Sequence, residues 1–335
     1  MLHVQSFLKS TIANWILLTW LSISGTSILF AGEGGDVRQQ LLTMTGGRRA
    51  KVVWNQGDPD KIQYFDTKEG VVRELPFTGT APKLTPDGSR VLAVTGPTTD
   101  RTLVLYDTET KSITKLSTGP HTFPLDIWRD PKTKREWVYV NASGAGGEFT
   151  RDWSDGQDKL FRLPIDKPNE IELVWDRTKC SEFFTLSADG SHACMAPTFN
   201  NIGLMKFAFD GSGKVDQEKS RFKTLGHGCF PGISPDNSYR VFHLVGNHMA
   251  IAMYESDGSK PRQIKVGDVP GGKGASWLTR WSTHPRFLTL MGPDSNKASI
   301  WVGRFDEAYT KVEAWVRVSS PGPKCMKSHA WIEQK

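Results

Sequence analysis

One stretch of sequence recurs after residue 80, and its length and internal pattern leave few folds open. The clearest copy is APKLTPDGSRVLAVTG followed by RTLVLYDTETKSITKLS, within residues 81–117. It holds four short β-rich runs separated by tight turns, the first at Asp87-Gly88 and the third at Glu109-Thr110. Asp-Gly suits such a turn because glycine accepts positive φ and the aspartate bonds its neighbouring backbone. Further copies are FPLDIWRDPKTKREWVYVN (123–141), FFTLSADGSHACMAP (183–197), FPGISPDNSYRVFHLVG (230–246) and LTRWSTHPRFLTLMG (278–292). Their turn anchors Asp87, Asp130, Asp189, Asp236 and His284 lie 43, 59, 47 and 48 residues apart. Helical periodicity is nearly absent after residue 40. A repeat of this length built from four antiparallel strands predicts the blades of a β-propeller.

The two ends of the repeat region complete the count. Residues 50–75 supply only three strands, AKVVWNQ, KIQYFDT and VVREL, and SHAWIEQ near the C-terminus supplies one of the missing kind. The expected fold is therefore all-β: a six-bladed β-propeller with four antiparallel strands per blade. Its C-terminal strand joins blade one, with Trp331 alongside Val53. Such closure removes the exposed sheet edges that otherwise invite aggregation. The expected divisions are a signal peptide at 1–31, a leader at 32–47 and the propeller at 48–335.

PxLTPDGSRV, LSADGS and ISPDNSY resemble the TolB-like (WD-type) propeller repeat of exported bacterial proteins, over roughly residues 48–333. Two copies depart from that pattern: His284-Pro285 and Arg129-Asp130-Pro131 replace the Asp-Gly turn. The resemblance implies a propeller in an extracytoplasmic setting. It does not imply an activity, because one propeller fold hosts many.

The N-terminus agrees with export. Lys9 is the sole Lys, Arg, Asp or Glu before Ala31, and an apolar stretch from Trp15 to Phe30 ends at the small residues of Phe30-Ala31-Gly32. This predicts a secretory signal and a periplasmic or secreted mature chain, tied to a membrane only if the segment is not cleaved. Cys180, Cys194, Cys229 and Cys325 have no CxxC spacing, so zinc-ribbon and thioredoxin patterns are excluded, and one or two disulfides are expected. With 42 Lys and Arg against 36 Asp and Glu and no long run of one sign, no nucleic-acid partner is indicated.

Propeller topology sorts the scarce residues by face. The first and third turns of each blade, with their Asp-Gly anchors, lie on one face. Second turns and blade-to-blade connections lie on the other. That second face collects His121, His227 and His248, with His243 and His329 nearby, and the longest insertion, Gly144 to Asp158. Within the insertion Phe149, Arg151 and Trp153 offer stacking planes and a cation, and long loops on rigid scaffolds often carry binding. His121, Phe149, Arg151, Trp153, His227 and His248 are accordingly the candidate ligand contacts. No catalytic residue is assigned.

GxSxG, GxxxxGK[ST] and strand-borne GxGxxG motifs are absent. The first functional reading is a non-catalytic binding module for an envelope or extracellular protein or glycan. The alternative is a metal-assisted polysaccharide lyase or hydrolase, with His121, His227 and His248 holding a divalent transition metal.

Overall fold

The computed structural model describes residues 36–334, apart from 58–59, 98–100, 120–122, 144–157, 176–182, 199–200, 260, 271–273, 294–297 and 323–324. The chain opens with helix α1 (Val37–Thr45), inside the segment expected to be a leader. The Asp36 side chain caps its first turn by accepting from Arg38 N at 2.9 Å. Gly46, at φ +67°, ends it in the left-handed region that glycine enters at least cost. Strands then follow in groups: β1 (Ala50–Gln56), β2 (Lys61–Asp66) and β3 (Val72–Thr78); β4 (Thr80–Leu84), β5 (Arg90–Thr95), β6 (Arg101–Asp107) and β7 (Ile113–Gly119); β8 (Phe123–Arg129), β9 (Glu136–Ser143), β10 (Asp158–Pro164) and β11 (Glu172–Trp175).

Next come β12 (Thr185–Leu186), β13 (His192–Thr198), β14 (Asn201–Phe209) and β15 (Val215–His227). Two further groups are β16 (Cys229–Ile233), β17 (Val241–Val245), β18 (Ala250–Tyr254) and β19 (Arg262–Lys265), and β20 (Trp277–Trp281), β21 (Phe287–Gly292), β22 (Ser299–Phe305) and β23 (Val312–Arg317). The last strand is β24 (Met326–Ile332).

These form six four-stranded antiparallel sheets, and blade one has the order β24-β1-β2-β3. Lys51 pairs with Trp331 and Val53 with His329, so the two chain ends close the ring in the expected way. Trp331 and Val53 share one hydrophobic cluster. The innermost strands touch in sequence all round the axis: β24, β4, β8, β12, β16, β20 and back to β24.

Each seam between neighbouring blades is filled by its own buried cluster. The seam between blades six and one takes in Leu41 and Met44 of α1 beside Trp54, Ile300 and Val316. Helix α1 thus docks on the propeller at its closure, and Arg304 Nη1 donates to Met44 O at 2.6 Å.

Tryptophans act as wedges at two seams. Trp331 Nε1 donates to Pro86 O at 3.0 Å, and Trp128 Nε1 to Ala188 O at 2.9 Å. Each ring lies over the next blade's turn glycine. A Cβ on Gly88 would stand 2.4 Å from the Trp331 ring, and one on Gly190 2.6 Å from that of Trp128. Both glycines also hold positive φ, so the Asp-Gly pair meets a backbone demand and a packing demand together.

Where the repeat departs from Asp, its chemistry survives. Asp87 Oδ1 accepts from Ser89 N at 2.9 Å, and His284 Nδ1 accepts from Arg286 N at 3.1 Å at the matching position. A lone pair on Nδ1 is what the turn needs. Burial, with Arg48 and Arg286 beside the ring, holds the His284 pKa down at about 4.

The disulfide expectation is partly corrected. Cys194 and Cys325 are buried free thiols, which rules out a two-bridge framework. Cys180 lies outside the described residues.

Candidate functional site

The repeat places one residue of each innermost strand on a ring around the axis, four positions before the turn anchor in blades two to six and at the matching place in β24 of blade one. Going round from blade six, the ring reads Arg280, His329, Lys83, Asp126, Thr185 and Gly232. A local irregularity of the strand aims several of them. Two residues before the ring position, Lys327, Ala81, Phe230 and Leu278 hold φ between +49° and +53°, and the pairing register shifts there. Such bulges turn a side chain out of its ordinary alternation.

Ring residues are tied to the next blade in one rotational sense. His329 Nδ1 accepts from Leu84 N at 3.1 Å, Asp126 Oδ2 from Leu186 N at 2.9 Å, and Thr185 Oγ1 from Ile233 N at 2.9 Å. Lys83 Nζ donates forward to Leu125 O and to Asp126 Oδ1, the latter at 3.2 Å. Asp126 Oδ1 also takes Ile127 N at 3.0 Å. Four blades, six, one, two and three, thus carry a charged or imidazole residue in the ring, and blades four and five a small one.

All of these but Gly232 line a cavity of about 250 Å³ that opens among Pro86, Ala188, Pro235 and Thr283, on the face of the Asp-Gly turns. Lys83 and Arg280 are 3% and 8% exposed. Burial pushes the Lys83 pKa down to about 8, Asp126 opposes this, and Arg280 adds to it. Burial, with Lys83 and Arg280 nearby, drives the His329 pKa well below its ordinary value. The imidazole is neutral, and its tautomer is set by geometry: a backbone N–H points at Nδ1, so Nε2 carries the hydrogen.

The opposite mouth of the channel is aromatic. Phe183 meets Phe230 edge-on with ring centres 4.9 Å apart, Phe230 meets His248 at 5.8 Å, and His248 meets Trp277 at 4.2 Å. All four rings are half-buried. They come from the starts of innermost strands in blades four, five and six, and from the turn after β17.

The predicted rim residues divide between this arc and undescribed segments. His248 belongs to the arc, and burial lowers its pKa. His227 is exposed at the end of β15. His121, Phe149, Arg151 and Trp153 lie outside the described residues. His243 is 1% exposed, within 3.3 Å of both Leu244 O and the Tyr254 hydroxyl, and a Cβ on Gly228 would collide with it. It is a packing residue. His329 lies within the axial ring, on the cavity side. Among the described residues no three His, Cys, Asp or Glu side chains form a group able to hold a metal.

The axial ring itself was not singled out from the sequence. The signal that finds it is the repeat register, since Lys83, Asp126, Thr185, Gly232, Arg280 and His329 share one place in successive copies.

Among solved structures, TolB from Acinetobacter baumannii aligns at TM-score 0.59 and 11% identity, over 87% of this chain and 69% of its own. The fold is a TolB-like propeller. A chain of the nidogen/laminin complex aligns at TM-score 0.53 and 9% identity, over 85% of this chain and 98% of its own. Oligogalacturonate lyase in complex with manganese aligns at 0.49 and 10% identity, over 77% and 75%, a likeness too weak to bear on chemistry. No family model and no curated relative matches the sequence. No helix among the described residues is long and apolar enough to cross a membrane.

Proposed function

We propose that this chain is a non-catalytic extracytoplasmic binding module that receives a protein partner on the face opposite the Asp-Gly turns. The aromatic arc carries the reading: Phe183, Phe230, His248 and Trp277 remain half-exposed at the channel mouth, on a scaffold held rigid by closure. Aromatic residues are enriched where partners bury surface, because they cover much area at small entropic cost. His227, exposed at the end of β15, belongs to the same face and extends the surface. Likeness to TolB and to a chain of a nidogen/laminin complex agrees with a binding propeller. The export-like pattern of residues 1–31 supports an extracytoplasmic setting.

The test is capture from envelope extract by the mature protein, alongside a glycan array. A protein should be retained by the parent and lost with Phe230→Asn. Retention through both Phe230→Asn and Trp153→Ala, or strong glycan signals with no protein, overturns the reading.

A further inference from the structure

A lysine side chain becomes a nucleophile once it sheds a proton, and Lys83 is placed to use that property. It stands on the axial ring, 3% exposed, and lines the cavity of about 250 Å³. Among the described residues its Nζ donates to two acceptors, Leu125 O and Asp126 Oδ1, the latter at 3.2 Å. Two acceptors are enough to hold both hydrogens of a neutral amine. The remaining tetrahedral position, occupied by the third hydrogen of the ammonium or by the lone pair of the amine, is left to the cavity.

Burial brings the Lys83 pKa down to about 8, against the pull of Asp126. At pH 7 roughly one Lys83 in ten is then the free amine, against fewer than about one in a thousand for an ordinary lysine near 10.4. Lysines desolvated in this way are the ones that add to carbonyl groups. Lys51 shows that burial alone does not make such a site. It is 2% exposed and burial lowers its pKa too. Its Nζ, however, lies on Gly88 O at 2.7 Å and Thr108 Oγ1 at 3.2 Å, 5.7 Å from the centre of the Trp331 ring, and it does not line the axial cavity.

We propose that Lys83 forms an imine with a small aldehyde bound in the axial cavity. Asp126 Oδ1 takes one ammonium proton, the freed lone pair forms the nitrogen–carbon bond, and the carbonyl π pair moves to oxygen. A second hydrogen passes from nitrogen to that oxygen. The proton held by Asp126 then returns, and the oxygen leaves as water. The iminium product keeps the third hydrogen and the positive charge beside the Asp126 carboxylate, so the ion pair survives the reaction. Leu84, Ile127, Leu186, Ile233 and Trp281 give the cavity an apolar wall, and its volume falls below the roughly 300–1,000 Å³ of drug-sized sites. Both properties suit a short apolar aldehyde. This site lies at the opposite end of the channel from the aromatic arc, so it stands or falls separately from partner docking.

The experiment treats the folded mature protein with butanal or benzaldehyde and sodium cyanoborohydride, whose hydride fixes any iminium as a secondary amine. Peptide mapping by mass spectrometry then gives an initial rate for each lysine. At pH 7 Lys83 should be alkylated at least about tenfold faster than Lys51 and than exposed lysines such as Lys68, Lys132 and Lys265. Its rate should saturate with aldehyde concentration and level off above about pH 8, while those of the exposed lysines keep rising. Lys83→Arg, which retains a cation beside Asp126, should lose the saturable component. Failure to alkylate Lys83, or a rate no greater than that of the exposed lysines, overturns the proposal. Equal labelling of Lys51 also overturns it, because the cavity would then confer nothing. Mapping uses the unaltered chain, so it decides even where Lys83→Arg does not fold.

Discussion

The two mouths of one channel are built on opposite principles. On the Asp-Gly face, three polar side chains are held by the next blade's backbone: His329 to Leu84, Asp126 to Leu186, Thr185 to Ile233. On the far face, rings from three blades lean on one another edge-to-face and keep part of their surface in water. The first arrangement holds each of these side chains in one orientation. The second supplies area without directional demands. The difference teaches that polar groups are oriented only where the backbone of a neighbour reaches them.

The sharpest break in this comparison is Gly88→Val. A side chain there meets the Trp331 ring and forces a β-branched residue to φ +70°, so unfolding in urea should show a loss of about 4 kcal/mol. Lys83→Met comes next, with an expected loss of about 2 kcal/mol, because it leaves the Asp126 carboxylate without its cation. Adding Asp126→Asn should return part of that loss, since the amide oxygen still accepts Leu186 N. A double variant no more stable than Lys83→Met would show that the pair is not coupled.

A third prediction concerns acid. His284 has a folded pKa of about 4 against an ordinary value near 6.5, so the unfolded chain binds more protons between those limits. Stability should therefore fall as pH drops from about 6.5 to 4. His284→Asp, which restores the repeat's carboxylate beside Arg48 and Arg286, should remove that component of a pH-denaturation series. Asp189 is held down at about 2, where Tyr239, Ser187 and Ser191 hydrogen bonds outweigh its burial. It gives a separate loss from about pH 4 to 2.

The smallest expected effect lies at the aromatic mouth. Phe230→Asn suits the left-handed backbone and should change stability by less than about 1 kcal/mol while partner capture disappears. A large stability loss there would make the arc a packing element and erase the contrast.

The blade count, the strand supplied by SHAWIEQ and the turn role of Asp87, Asp189 and Asp236 were legible in the sequence. They are local signals repeated at a fixed period. The charged ring was equally periodic but easy to pass over. Lys, Asp and Arg are common on surfaces, and neither composition nor spacing reveals that Lys83 and Arg280 are buried. Histidine scarcity drew attention to the other rim instead, where His243 proved to be packed beneath Gly228 and His248 to be part of an aromatic cluster. The positive φ at Ala81, Phe230, Leu278 and Lys327 falls on residues other than glycine, so no composition cue marks these bulges. Docking of α1 was hidden for a similar reason: Leu41 and Met44 are too short a pattern to announce a partner.

Blade one is completed by a strand from the far end of the repeat region. Without β24, β1 keeps a bare inner edge and the seam beside blade six stays open. A variant truncated just before Met326 is therefore an open crescent rather than a slightly weakened disc.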